Sequence, residues 1–361
     1  MPPEAPAATA DEARSGFQLP GLLSRWETLI VGLIVVVFII GASLSDEFLT
    51  TATITTGTFD MIEVALMALP LALVVVAAEI DLSIASVLGL SSAVMAALWN
   101  AGLPLELIMP LCLVMGALCG AFNGILVTRF GLTSLAVTIG TLALFRGLAF
   151  VVIGDESVTD FPSEWTDRAF GTIADGWIPN VLVLFVALAI GFALLLHATP
   201  FGRNVFAIGA NVEASRFSGM RVKRIKLTLF ALSGTVAALA GIVISLRNST
   251  AAANVGTGFE LTTVAAVVLG GVSIFGGKGT IGGVVLALIL LAGIQKALTL
   301  AEGVSSYWIQ IVTGILLIGS VLGPNLVSRA REARAHTSRS RGSWPSPGVG
   351  LSNRPRKEEA E

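Results

Sequence analysis

Apolar residues run along this chain in long blocks, not in alternation. The blocks fall at roughly 28–45, 57–78, 82–99, 104–127, 132–153, 179–197, 227–246, 260–275, 280–299 and 305–323. A helix needs about 20 apolar residues to cross a hydrocarbon core of ~30 Å. In lipid every backbone N–H and C=O must be bonded internally, so helices and closed barrels are the spanning structures. These blocks lack a period of two and are longer than barrel strands of ~10 residues. The pattern predicts an all-α, polytopic transmembrane helical bundle of about ten spans. Polar residues interrupt the run from 57 to 99, which leaves the count between nine and eleven.

Composition agrees. Hydrophobic residues make up 54% of the 361 and charged residues 13%, too little charge to cover a soluble domain of this size. Residues 1–25 hold Glu4, Asp11 and Glu12 and no apolar core, so they read as a disordered cytoplasmic leader, not a signal peptide. Residues 326–361 are rich in Arg, Ser, Pro and Gly and read as a disordered basic cytoplasmic tail. The membrane domain is then 26–325. Cytoplasmic loops carry the excess of Lys and Arg. With ten spans and both ends inside, 18 of the 22 Lys and Arg fall on the cytoplasmic side. The exceptions are Arg146, Arg168, Arg247 and Lys296, while the external segment 154–178 holds six acids against one Arg. The expected location is a cell membrane, in contact with lipid.

Little in the sequence suggests covalent chemistry. Cys112 and Cys119 are seven apart in one block, which puts them on one helix face about 10 Å apart, too far to bridge. No His/Cys cluster suggests a metal, and nothing calls for a cofactor or for nucleic acid. The glycine-rich run 269–283, LGGVSIFGGKGTIGG, has Val272 where a phosphate loop needs Gly and Gly279 where it needs Ser or Thr after the Lys. It reads as a tight turn between helices.

Three other features stand out. The stretch 200–226, PFGRNVFAIGANVEASRFSGMRVKRIK, is long, polar and basic. Within it Asn211 can cap a short helix, with Glu213 in its first turn, Arg216 later and Gly219 as its stop. Such a helix is marginal alone and is expected to dock, although a plain loop held by the anionic leaflet would share its charge. In the break AEIDLSIAS, Asp81 is an expected N-cap for the next helix or, with Glu63 in the second span, an element of a gate or pathway. Gly116, Gly120 and Gly124 form a packing stripe in the fourth span, and Asn123 within it is expected to bond between helices.

Residues 57–325 resemble the sugar-specific permeases of bacterial ABC importers, of the ribose, autoinducer-2 and rhamnose type. The resemblance rests on EIDLSIAS at 79–86, FNGILV at 122–127, FGRNVFAIGANVEASRFSGMRVKRIK at 201–226 and ALAGIVISLR at 238–247. It continues through GTGFELTTVAAVVLGGVSIFGGKGTIGG at 256–283 and GVSSYWIQIVTGILLI at 303–318. At Glu79 the chain departs from the Gly that many members carry, and no family role transfers there. The resemblance implies a type II importer permease that pairs with a second permease, a copy or a paralogue, around a central path. Two cytoplasmic ABC ATPase subunits would drive it, and an extracytoplasmic sugar-binding protein would deliver the solute. ATP hydrolysis would belong to the partners, so this subunit is not expected to be an enzyme. It also implies that 201–226 is the coupling segment, with Gly209, Asn211, Glu213, Ala214, Arg216 and Gly219 as its ATPase-contacting residues. VSIFGGKGT looks closest to the rhamnose and autoinducer-2 branch, with ribose next. The alternatives are an ion-coupled secondary transporter using Glu63 and Asp81 and an amino-acid ABC importer permease.

Overall fold

A computed structural model describes residues 25–173, 176, 178–301 and seven scattered positions between 308 and 319. Nine of the ten expected spans coincide with helices; the tenth, 305–323, falls largely outside the described residues, as do the leader and the tail. Helices α1 (Arg25–Leu44), α2 (Thr51–Val76), α3 (Ile84–Asn100), α4 (Leu105–Arg129) and α5 (Ser134–Ile153) come first. A segment of short elements follows: β1 (Ser157–Val158), α6 (Ser163–Phe170), β2 (Thr172–Ile173) and β3 (Ile178–Pro179). Then come α7 (Asn180–His197), α8 (Pro200–Ala210), α9 (Val212–Phe217), α10 (Val222–Arg247), β4 (Ala251–Ala252), α11 (Phe259–Leu269) and α12 (Ile281–Leu300).

Among the described residues seven helices, α1, α2, α4, α5, α7, α10 and α12, are long and apolar enough to cross a membrane. The ends of several elements differ from expectation. Helix α2 starts at Thr51, not 57, because Thr56 and Thr58 donate their hydroxyls to carbonyls of the preceding turn and so lie comfortably in a helix. Helix α11 stops at Leu269, not 275, because Gly271 takes a left-handed turn (φ 85°) directly after the cap. Helix α3 has 17 residues and α11 has 11, so both are short for a simple crossing.

Helix α2 is the axis of the bundle. It is buried from Met61 to Val76, packed by α7, α10, α11 and α12. By contrast α1, α4, α5 and α7 turn apolar side chains outward, among them Ile39, Val114, Leu118, Ile139, Val151 and Ile190. An apolar exterior around an apolar axis is the arrangement a lipid solvent favours.

The closest helix pair is α4 with α10. A Cβ at Gly116 would overlap the Gly234 carbonyl oxygen, and one at Gly120 would overlap that of Phe230. At Gly124 it would meet Leu227 Cδ1 at 2.9 Å. Backbones this close gain dispersion contact along the whole seam.

The short elements gather at one end. Strand β1 pairs with β4 antiparallel (Ser157 opposite Ala252, Val158 opposite Ala251), just beyond the C-terminus of α10. Strand β2 pairs with β3, and Phe170 of α6 stacks on Phe59 of α2 at 4.7 Å. Helices α8 and α9 precede α10. Twenty-six residues rising 1.5 Å each make α10 about 39 Å long, so the acidic segment and the basic segment sit at opposite ends of the bundle.

Candidate coupling surface and buried charge pairs

The basic stretch folds as two helices, not one. Thr199 caps α8, accepting from the Gly202 N–H at 3.2 Å, and Pro200 stands at the first helical position, where its missing N–H costs nothing. Val205 and Ile208 bury one face of α8. Asn211 then caps α9, its Oδ1 accepting from the Ala214 N–H at 2.9 Å. Glu213 lies in the first turn and Arg216 in the last, as the helix dipole favours. Gly219 ends it in the left-handed region (φ 80°). Of the six residues expected to contact an ATPase, Asn211, Glu213, Ala214, Arg216 and Gly219 are exposed.

Gly209 does other work. A Cβ there would overlap the Val76 carbonyl oxygen and come within 2.5 Å of the Gly277 nitrogen. The Gly277 N–H donates to the Val76 oxygen at 2.8 Å. Three backbones thus meet: the end of α2, the end of α8 and the turn between α11 and α12. The turn expected from the glycine-rich run is therefore part of the seat on which α8 rests. Phe217, at the last residue of α9, is 92% exposed and did not stand out in the sequence, where an apolar residue in a basic loop gives no sign of its direction.

Asp81 is not the N-cap of α3; that position is Ser83. Asp81 is 1% exposed, and its Oδ1 accepts from the Ser83 N–H at 3.1 Å and hydroxyl at 2.6 Å. Its Oδ2 accepts from the Ser233 hydroxyl of α10 at 2.7 Å. Asn123 donates to the Ser83 hydroxyl at 2.8 Å, so it does bond between helices. The Ile80 N–H donates to the Ser134 hydroxyl of α5 at 3.1 Å. The break after α2 is therefore tied to α4, α5 and α10 together, and a carboxylate with three donors is well compensated for its burial. Glu79 next to it pairs with Lys226.

Glu63 is fully buried in α2, and its Oε1 accepts from Arg247 Nε of α10 at 3.0 Å. One turn earlier Asp60 pairs with Lys296 of α12 at 2.7 Å. Arg146 of α5 donates to the carbonyls of Ala253 and Val255, both at 2.8 Å, and of Ala85 at 3.2 Å. Arg168 pairs with Glu164 on the surface of α6 at 2.6 Å. These are the four cations that broke the charge bias, and each has a partner within the chain. Glu63 and Asp81 line neither the basic cavity beside α9 nor the apolar crevice between α2, α7 and α12. Among the described residues no group of His, Cys, Asp and Glu could hold a metal.

Residues 53–321 match the family described as branched-chain amino acid transport system / permease component. The chain belongs to this family. It is thus a transport permease subunit and a multi-pass membrane protein, matching the resemblance read from the motifs. Similar relatives include the autoinducer 2 import system permease protein LsrD of Yersinia enterocolitica, 34% identical over 307 residues, covering 83% of this chain and 92% of the relative. The LsrD of Salmonella typhi is 33% identical over 304 residues, with 82% and 91% covered. That of Klebsiella pneumoniae is 33% identical over 317 residues, with 86% and 95% covered. No solved structure matches the chain.

Proposed function

We propose that this chain is the membrane path of an ATP-driven sugar importer whose solute is a small monosaccharide of the autoinducer-2, rhamnose or ribose kind. The relatives' shared role in autoinducer 2 import supports the solute class. In this reading α8 and α9 lie on the cytoplasmic side and both termini are cytoplasmic, because the unpaired cations gather there. Partners are two cytoplasmic ATPase subunits, an extracytoplasmic sugar-binding protein and a second permease.

The observation that carries the reading is the build of α9. It is capped at both ends, stands on α8, and presents Glu213, Ala214, Arg216 and Phe217 outward, with Phe217 almost fully exposed. A six-residue helix is too short to persist for its own sake. An exposed aromatic flanked by an acid and a base suits insertion into a cleft of a partner. Because α8 meets α2 and the α11–α12 turn through backbone, movement of the partner would pass to α2 as rigid-body displacement. Amino-acid import on the same architecture differs only in the solute. An ion-coupled carrier would need a carboxylate open to a path; Glu63, held by Arg247 through Oε1 with Oε2 unpartnered, and Asp81, held by Ser83 and Ser233, are both buried and line neither cavity.

The test is Glu213→Lys combined with Phe217→Asp in the assembled importer. Membrane insertion and thermal stability should match the parent, while solute-stimulated ATP hydrolysis should fall at least tenfold. Stimulated hydrolysis at the parent level overturns the assignment of α9.

A further inference from the structure

A cavity of about 390 Å³ opens beside α9, between the α4–α5 turn, the break after α2 and the start of α10. Arg216, Lys223 and Lys226 line it, against one acid, Glu79, which is already bonded to Lys226. Among the described residues Arg216 and Lys223 have no ion-pair partner. The start of α5 forms another wall, and Thr133 at its N-cap position makes no side-chain cap, so the positive end of that helix faces the same space. Cations and free helix amides converging on one cavity describe an anion site.

The opposite lip is apolar. Leu132 and Leu135 line the cavity and are 51% and 45% exposed, and Ile139, one turn further along α5, is exposed as well. Phe130 at the same turn is 67% exposed. A free phosphate or a partner's carboxylate would use the cations and leave this lip in water. A ligand with a charged head and an acyl chain would use both.

We propose that this cavity seats the phosphate of an anionic phospholipid, with an acyl chain lying along Leu132, Leu135 and Ile139. The site goes beyond the transport reading and stands without it, since binding needs only this chain. The lipid would bridge the last turn of α9 to the α4–α5 turn, so membrane composition would bear on how firmly α9 is held.

The experiment is native mass spectrometry of the full detergent-solubilised chain, titrated with phosphatidylglycerol, phosphatidylcholine or inorganic phosphate. Phosphatidylglycerol should bind in preference to phosphatidylcholine. Arg216→Gln with Lys223→Gln should weaken phosphatidylglycerol about twenty-five-fold at low salt, one factor of about five for each cation removed. Phosphatidylcholine binding should not change. Lys223→Arg should bind as the parent does, which separates lost charge from lost fold. Arg224→Gln, exposed on the same turn but outside the cavity, should stay within about twofold. Phosphatidylglycerol binding that is unchanged in the double variant, or reduced equally by Arg224→Gln, overturns the site. Displacement of phosphatidylglycerol by an equal concentration of inorganic phosphate would make it a free-phosphate site and overturn the lipid assignment.

Discussion

The two ends of α2 and α10 carry charge in opposite ways. At the end near β1 and β4, Glu63 is closed on Arg247 and Asp60 on Lys296, each across two helices. At the other end Glu79 takes Lys226, and beyond it Arg203, Arg216, Arg221, Lys223 and Arg224 have no ion-pair partner among the described residues. Lys226 and Arg247 are 21 residues apart on α10, or about 31 Å, close to the thickness of a hydrocarbon core. A cation as buried as Arg247 or Lys296 must find an acid or a carbonyl, because its surroundings offer little water. A cation at the rim is solvated and remains available to something else. The difference therefore separates charges that hold the bundle together from charges that face outward, and it can be tested residue by residue.

The largest effect should come from Glu63→Gln. The substitution keeps the shape but leaves Arg247, 14% exposed, without its counter-charge. Breaking one half of a buried pair costs about 3 kcal/mol. Thermal unfolding of the solubilised protein should show the loss, and Glu63→Leu with Arg247→Met should recover most of it, because removing both charges removes the penalty. If the single substitution costs no more than the double, the paired end is not held by charge.

Lys296→Met should cost less, about 1 kcal/mol, because Asp60 is 41% exposed and can be solvated once its partner is gone. Raising the salt concentration should shrink this difference and leave the Glu63 effect almost intact. Equal salt sensitivity at the two pairs would blur the distinction between them.

How far all this was legible beforehand follows the range of the interactions. Span positions follow from local apolar runs, and the Asn211 cap, Glu213, Arg216 and Gly219 from a nine-residue pattern, so both are open to reading. The packing face of Gly116, Gly120 and Gly124 followed from their spacing, although their partner α10 did not. Glu63 and Arg247 are 184 residues apart, and nothing local to either names the other. The inward turn of Gly209 depends on Val76 and Gly277 arriving at the same point, which is a property of the bundle alone. The cap lies two residues beyond Asp81, at Ser83, because a carboxylate before a helix resembles a cap whether it bonds the first turn or, as here, Ser83 and the distant Ser233. A sequence-level signal did exist for the paired cations: Arg247 and Lys296 lay on the wrong side of the charge bias, and each required an acid inside a span.

The smallest effect on stability should be at the open end, at Phe217. Its ring is 92% exposed, so truncation to Ala removes almost no burial and should shift unfolding by less than about 0.5 kcal/mol. If α9 docks on the ATPase subunits as proposed, the same change should weaken their attachment by about tenfold or more, since an aromatic hot spot in a partner's cleft is worth about 2 kcal/mol. Both quantities can be read on one preparation, by thermal unfolding of the chain and by its retention of the ATPase on a column. A side chain that matters to neither would leave the outward charges at this end with no visible partner to explain their geometry. One that matters to the bundle alone would place Phe217 with Glu63 and Lys296, and the contrast between the two ends would rest on charge without the aromatic.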